Sequence, residues 1–378
     1  MPPRRTGQQG LSPFSSDYEP AFEEVASKRG FVLPAWLPTE RGAVFFVTVC
    51  ICMMIAVAGS PGAHPGGTPT PAGADAPANV AANVPTASAA IGTAAPQQPT
   101  PTQLADVQVG APTVVISTED DPRAILPRYR ILSYYGHPGS AQMGILGEAS
   151  LDEAAVLLRA EADAYEAADP TRQIMPAFEL IASVAQDWPG DNDTYLLFTG
   201  SDIIQQYVDY TAANGLLLIL DIQIGHSNIV DEMDRVEPFL LSPHVHLAID
   251  PEFSMPDGVV PGSEIGGIDA EDIVYAQNRL AQLAATNNLP PKVLIVHQFY
   301  EPMIRNDIIL KPIPGVQLLI EFDGFGAPAN KIVGYHQFVR DRPIEYGGIK
   351  LFYRQDSPLM TPADIVALSP SPDLIIYQ

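Results

Sequence analysis

The segment Ala248–Glu252 (AIDPE) places two carboxyl groups at the end of a predicted β-strand. Residues i and i+2 of a strand face the same side, with Cα atoms about 6.6 Å apart, so we expect Asp250 and Glu252 to face one site. Repulsion between such groups keeps one protonated while the other is ionised. The pair therefore suits acid–base chemistry, in which one group protonates a leaving oxygen and the other stabilises positive charge. In the structural alternative, Asp250 caps the strand end and Pro251 starts a loop.

Polar residues also stand at the ends of the other predicted strands. We expect Glu321 to be a third catalytic carboxyl. The expected substrate-binding residues are Tyr135, His137, Glu179, Asp221, Gln223, His297, Gln298, Tyr300, Asp323 and Arg354, with Trp188 as an aromatic surface in a loop. Any one of them alone is more often a cap or loop residue. If they converge, crowding raises the pKa of some carboxyls, as general-acid catalysis requires.

Eight short apolar runs alternate with helical patterns after Arg128, which indicates a parallel sheet covered on both faces. The predicted strands are Ile131–Gly136, Ile174–Leu180, Leu216–Gln223, Val245–Pro251, Lys292–Gln298, Val316–Asp323, Ile349–Arg354 and Asp373–Tyr377. The predicted helices are Ser150–Ala167, Ser201–Asn214, Asn228–Leu241, Ala270–Asn287, Ala329–Arg340 and Thr361–Leu368. Ser201 is the expected N-cap of the second helix, and Gly215 the expected residue at its C-terminal end.

This alternation predicts an α/β fold, a single (β/α)8 TIM barrel over residues 126–378. Its long strand-to-helix loops, 136–149, 183–200 and 252–269, lie on the face where such barrels carry active sites. An open doubly wound sheet is the alternative. Such a sheet usually has a glycine-rich loop after its first strand, where this chain has Tyr135-Gly136-His137-Pro138.

The Asp-Pro-Glu at the fourth predicted strand resembles the Asp-x-Glu of chitinase-type glycosidases and of N-acetylmuramidase-type lysozymes. The resemblance implies that Glu252 is the acid and that Asp250 orients or assists the substrate. It is two residues deep: the chitinase-type pattern has further Asp residues where this chain has Ala248 and Val245, and it has a Trp near the last strand that is missing here. The combination YYGHP, LDIQ, DPE and HQF also looks like uncharacterised exported bacterial barrel proteins, which implies no chemistry.

We therefore expect a glycoside-hydrolase-like barrel whose ligand is a glycan or another small neutral molecule. The alternative is a non-catalytic surface barrel that binds a ligand or a protein partner, since fold alone does not choose between them. The predicted barrel has a single Trp, Trp188, whereas polysaccharide clefts usually have several aromatic surfaces, and this favours the alternative.

We predict no metal site and no cofactor. His244 and His246 form an H-x-H that resembles metallohydrolase barrels, but the pair falls at the start of a strand, on the face that serves stability. Asp191-Asn192-Asp193 is without the glycine and closing glutamate of a calcium loop and predicts a solvated turn. Phosphate-loop, nucleophile-elbow, H-E-x-x-H and dinucleotide motifs do not occur in the sequence.

Charge and composition bound the remaining possibilities. The 378 residues carry 20 Lys+Arg against 44 Asp+Glu, a net charge of −24, which excludes a nucleic-acid binder because no basic surface can neutralise phosphates. The two cysteines, Cys50 and Cys52, provide neither a disulfide scaffold nor a four-ligand zinc site.

The uncharged apolar run 42–59 (GAVFFVTVCICMMIAVAG) predicts a single-pass anchor in the cell membrane. By the positive-inside rule, residues 1–41 are a cytoplasmic tail and the barrel lies on the extracytoplasmic side. Ala56-Val57-Ala58 fits a cleavable signal, which would instead give a protein secreted after cleavage behind Ala58. A buried core helix is the third possibility for this run. Residues 60–125, rich in Pro, Ala and Thr, predict a disordered linker.

Overall fold

The computed structural model describes residues 121–190 and 192–378, which form a closed barrel of eight parallel strands. In chain order the barrel strands are β1 (Tyr129–Gly136), β2 (Gln173–Ala185), β4 (Leu217–Gln223), β5 (Val245–Asp250), β7 (Lys292–Gln298), β9 (Val316–Phe322), β10 (Tyr346–Leu351) and β11 (Leu374–Tyr377). Each pairs with the next in parallel, and the pairing of β11 with β1 closes the ring. The predicted α/β barrel is thus confirmed at the level of its fold.

Helices on the outside connect most of these strands. They are α1 (Ile145–Glu148), α2 (Leu151–Ala168), α3 (Ser201–Asn214), α4 (Ile229–Leu240), α5 (Ala270–Asn287), α6 (Pro328–Tyr335) and α7 (Pro362–Val366). A π-helix, His336–Arg340, continues α6. The connection from β7 to β9 instead carries the 3-10 turns Glu301–Met303 and Asp307–Ile309 and the short strand β8 (Ile304–Arg305), which pairs with β6 (Ile268–Asp269). The small strand β3 (Leu196–Phe198) is antiparallel to the end of β2.

Local sequence fixes the helix ends. Ser150 and Glu153 form a capping box at the start of α2, and Asn228 caps α4 by accepting a hydrogen bond from Asp231 N. Gly215 ends α3 in the left-handed conformation with φ 64°, as predicted. The expected N-cap of α3 is wrong by one residue, because Gly200 occupies that position and Ser201 begins the helix without a side-chain cap bond.

Along the barrel axis, the interior has an apolar part and a polar part. The apolar part contains Ile131, Ala177, Ile219, Ile295 and Leu319, one from each of five strands. Outward-facing residues of the same strands pack against the helices, for example Leu132, Phe178 and Leu294. At the N-terminal end, the Gln317 side chain bonds the backbone of Ile125 and Leu126 and so fastens the entering chain across the barrel. Most of the inward-facing positions nearer the C-terminal end are polar.

Two strand boundaries differ from the prediction in ways that matter for the site. β5 ends at Asp250 rather than Pro251, because Pro251 has no N–H to donate and begins a 3-10 turn, Pro251–Phe253. β10 is Tyr346–Leu351 rather than Ile349–Arg354. Gly347 and Gly348 are therefore strand residues, and a Cβ at Gly348 would lie 3.0 Å from Glu321 Cγ.

The predictions for residues 1–41 and 42–59, and almost all of the linker 60–125, lie outside the described residues. In the described part of the chain, none of the helices is both long and apolar enough to span a bilayer.

Candidate functional site

Eight side chains meet inside the C-terminal end of the barrel, and we call them the polar layer. Seven strands contribute, since residues at the C-terminal ends of parallel strands reach the same end of a barrel. The polar layer consists of Tyr135, Glu179, Asp221, Asp250, His297, Glu321, Asp323 and Lys350. All are buried, and the most exposed, Asp323, shows 8 % of its surface. Seven of these eight were among the residues predicted for the site.

His297 links two of the carboxyls. Its Nδ1 lies 2.7 Å from Glu321 Oε2 and its Nε2 lies 3.0 Å from Glu179 Oε1. Burial opposes a charge on the ring, but the hydrogen bonds to Glu179 and Glu321 outweigh it and raise the pKa of His297 well above its ordinary value. The ring is therefore an imidazolium that donates to a carboxylate on either side.

Lys350 is the second cation of the layer, and sequence reasoning missed it. Its Nζ lies 3.3 Å from Asp323 Oδ1 and 3.7 Å above the centre of the Tyr135 ring. Burial opposes its charge, but Asp323 and further carboxylates, including Glu321, raise the pKa of Lys350 above its ordinary value. The signal was a lysine within an apolar strand. The predicted strand, Ile349–Arg354, places Lys350 near its start, whereas in the structure Lys350 is next to the last residue of β10.

Burial and mutual repulsion act on the acids of the layer. Burial raises the pKa of Asp221 to about 7, with His297 opposing and Asp250 reinforcing the shift. Burial also raises the pKa of Asp250, with repulsion from Asp323 adding to it, and raises that of Asp323 against the opposing charge of Lys350. Five carboxyls share a buried space with two cations, so full ionisation would leave three uncompensated negative charges. The layer therefore holds protons near neutral pH, which is the requirement for general acids.

Several carboxyl oxygens remain available as acceptors. Tyr135 OH donates to Asp221 Oδ2 at 3.0 Å, while Asp221 Oδ1 has no hydrogen-bond partner among the described residues. The same holds for Glu179 Oε2 and Glu321 Oε1. Buried acceptors without donors are rare in folded proteins. These three buried oxygens are therefore acceptors for which the described residues supply no donor.

Asp250 combines the two roles considered for it from the sequence. It belongs to the polar layer, and its Oδ1 also accepts a hydrogen bond from Glu252 N at 3.1 Å, which caps the 3-10 turn. Its Oδ2 accepts a hydrogen bond from Gln223 Nε2 at 3.3 Å. Glu252 lies in the turn and not in the strand, so the alternation that predicted a shared strand face does not extend to it. Glu252 is 8 % exposed and follows Asp250 by two residues in this turn.

Five further predicted residues lie outside the polar layer, whereas Gln223 contacts it through Asp250. His137 Nε2 lies 3.0 Å from Thr199 Oγ1, and Arg354 forms an ion pair with Glu148 at 2.6 Å. Trp188 and Tyr300 are both 49 % exposed. Gln298 is buried, and its Nε2 has no partner in the described part of the chain. Four of them lie beyond the ends of strands at the same end of the barrel, whereas Gln298 is the last residue of β7.

Lys331 is a second buried lysine that the sequence analysis did not predict, and it connects two strand ends at the C-terminal end of the barrel. Its Nζ donates to the carbonyl oxygens of Gly324 and Lys350 and lies 3.5 Å from Asp356 Oδ2. Asp356 in turn accepts hydrogen bonds from Gly326 N at 2.7 Å and Phe352 N at 2.9 Å. These contacts hold the ends of β9 and β10, and so fix the positions of Glu321 and Lys350.

One group in the layer has the spacing of a metal site. His297, Glu321 and Asp323 each place a ligand atom within 4.8 Å of the other two. The Lys350 ammonium and the imidazolium, however, already supply cations to these carboxylates.

His246 at the opposite end of the barrel accepts a hydrogen bond from Val293 N at 3.1 Å, and burial lowers its pKa well below the ordinary value, which fits a structural role. Asp191 lies outside the described residues, while Asp193 lies in an exposed turn.

No known family model matches this chain, and searches of curated proteins and of solved structures likewise give no match. The fold and the polar layer therefore carry the functional argument alone.

Proposed function

We propose that this protein is a glycoside-hydrolase-like enzyme that acts on a cell-surface or extracellular glycan by carboxyl acid–base catalysis. The observation that carries the proposal is the convergence of five carboxyls and two cations at the C-terminal end of a closed parallel barrel. In barrels of this kind the active site lies at that end. Glycoside hydrolysis needs a protonated carboxyl for the leaving oxygen and an ionised one for the positively charged transition state.

The resemblance and the contacts of the polar layer suggest a role for each residue. Glu252 is the acid, as the Asp-x-Glu resemblance implies, and Asp250 beside it orients the substrate. Glu321, held by the His297 imidazolium at 2.7 Å, is the ionised carboxylate that opposes developing positive charge. Other residues of the polar layer set the charge on the side of the sugar that faces the barrel interior: Tyr135, Glu179, Asp221 and Asp323.

A non-catalytic barrel that binds a surface ligand is the second candidate. The observation in its favour is burial: Glu179, Asp221 and Glu321 have no exposed surface, and each forms a hydrogen bond inside the barrel. Under this alternative the layer holds the barrel end in one shape and the outer loops bind the partner.

The deciding experiment screens the full chain for hydrolysis of peptidoglycan, chitin and plant glycans. Glu252→Gln keeps the shape of the side chain but cannot donate a proton, so activity should fall about 10²–10⁴-fold. Glu264→Gln is the matched control, since Glu264 is an exposed carboxyl of the loop that follows. Hydrolysis that Glu252→Gln leaves at the level of this control would remove Glu252 from the mechanism. Binding without hydrolysis of any glycan would favour the second candidate.

The proposed location is the extracytoplasmic side of the membrane, with residues 42–59 as the anchor or as a signal cleaved after Ala58. The motive is the apolar run with basic residues on its N-terminal side only. A reporter fused behind Gln378 that is active only in the cytoplasm would contradict this orientation.

A further inference from the structure

A cavity of about 290 Å³ lies on the outside of the barrel, between α3, α4 and the β2–β3 hairpin, and we call it the α3–α4 cavity. Ile204, Val236 and Phe239 provide apolar walls. Ser183 and Glu232 are polar residues of the lining, and Arg235 also lies along it. The cavity is separate from the polar layer and plays no part in the proposed hydrolysis.

Glu232 is the unusual residue of this lining. It lies on the buried face of α4 with none of its surface exposed. Its Oε1 accepts a hydrogen bond from Ser227 Oγ at 2.7 Å and lies 3.5 Å from Arg235 Nε, while its Oε2 has no hydrogen-bond partner among the described residues. Burying a carboxyl oxygen without a donor costs free energy. An apolar side chain would fill this helix position at no such cost.

The charges around the cavity favour a ligand that donates. Ser183 Oγ gives its proton to Gln223 O, so its oxygen is left as an acceptor beside Glu232. The Arg235 guanidinium stacks 3.7 Å above the Phe198 ring and is half-exposed, so its charge is partly screened by solvent. Burial raises the pKa of Glu232, with Ser227, Arg235 and Ser183 opposing the shift, and a cation in the cavity would favour the ionised form further.

We propose that the α3–α4 cavity is a second ligand site that takes a small organic amine. The ammonium donates to Glu232 Oε2 and to Ser183 Oγ, and the hydrocarbon part packs on Ile204, Val236 and Phe239. A charge-assisted hydrogen bond is roughly twice as strong as a neutral one. The net charge of −24 draws cations toward the surface as a whole.

The test is calorimetric titration of the full chain with benzylamine and, separately, with benzyl alcohol at pH 7. Saturable binding of benzylamine is expected, with benzyl alcohol at least tenfold weaker. Glu232→Gln should weaken benzylamine binding at least tenfold, whereas Asp209→Asn, which removes an exposed carboxyl of α3 outside the cavity, should leave it unchanged. Absent benzylamine binding, equal binding of the alcohol, or equal effects of the two substitutions would overturn the proposal.

Arg235→Gln provides an independent variant, because Arg235 is half-exposed and its replacement leaves Glu232 in place. Removing the like charge should tighten benzylamine binding severalfold. Unchanged or weaker binding by this variant would show that the amine does not lie beside Glu232. Neither result depends on hydrolase activity.

Discussion

Replacing Lys350 with methionine tests whether the polar layer is held together by charge. Lys350 Nζ lies 3.3 Å from Asp323 Oδ1 in a fully buried setting. At an effective dielectric constant of about 20, one such pair is worth about 5 kcal/mol. Mutational data for broken buried pairs give about 3–5 kcal/mol, because the remaining charge is left uncompensated. For a folded unit of this size, a loss of that order lowers the melting temperature by roughly 10 °C.

The effect of Lys350→Met should depend on pH in a fixed direction. In the variant the pKa of Asp323 rises further, because the opposing charge of Lys350 is gone. A carboxyl whose pKa is raised by folding binds more protons folded than unfolded, so the free energy of unfolding falls as pH rises through that interval. The destabilisation should therefore be small at pH 4 and largest at pH 8.

The assay is thermal and urea unfolding of both proteins between pH 4 and pH 8. Lys311→Met is the matched control, since Lys311 is exposed and its removal should change the melting temperature little. If Lys350→Met behaved like Lys311→Met at pH 8, or if its destabilisation grew toward low pH, the account of Lys350 as the counter-charge of the layer would be refuted.

Three further predictions concern the described fold. Asp221→Asn should stabilise the protein at pH 8, because folding raises the pKa of Asp221 to about 7. The same change should reduce the fall in the free energy of unfolding between about pH 4 and pH 7, and an unchanged fall in urea unfolding would contradict this. Gly348→Ala should cost about 1–3 kcal/mol in urea unfolding, since the added Cβ would lie 3.0 Å from both Glu321 Cγ and Leu319 Cδ2. Ser150→Ala should cost about 1 kcal/mol through loss of the capping box of α2, while Ser263→Ala in an exposed loop serves as its control.

The barrel could be predicted from sequence because its strands are short apolar runs, most of them separated by helices. Lys292–Gln298, Ser201–Asn214 and Ala270–Asn287 match their predicted bounds, since strong apolar patterns end there at turn residues. The small strands β3, β6 and β8 were not predicted. β6 and β8 are two residues each, too short for any periodicity to mark them.

The site was predictable in composition but not in detail. Strand alternation places Glu179, Asp221, His297 and Glu321 inward, because each occupies an inward-facing position at the C-terminal end of its strand. The same reasoning included Arg354, which lies beyond the true end of β10 and pairs with Glu148 instead. Adjacency to a strand end in sequence indicates the correct end of the barrel, but it does not decide which side chains point inward: Asp323 and Arg354 both follow a strand, and only Asp323 joins the polar layer.

The proposed function gives the polar layer a role that closure of the barrel does not require. Lower in the same barrel, Ile131, Ile219, Ile295 and Leu319 fill the interior without any charge, so apolar side chains are sufficient to close this fold. Replacing buried ion pairs by apolar residues of similar volume is often neutral or stabilising, by about 1–4 kcal/mol. The polar layer lies at the end where the long loops meet, whereas at the opposite end the neutral side chain of Gln317 fastens the entering chain. Under the proposed hydrolase activity, groups that hold protons and oppose positive charge belong at that end, because barrels of this kind carry their active sites there.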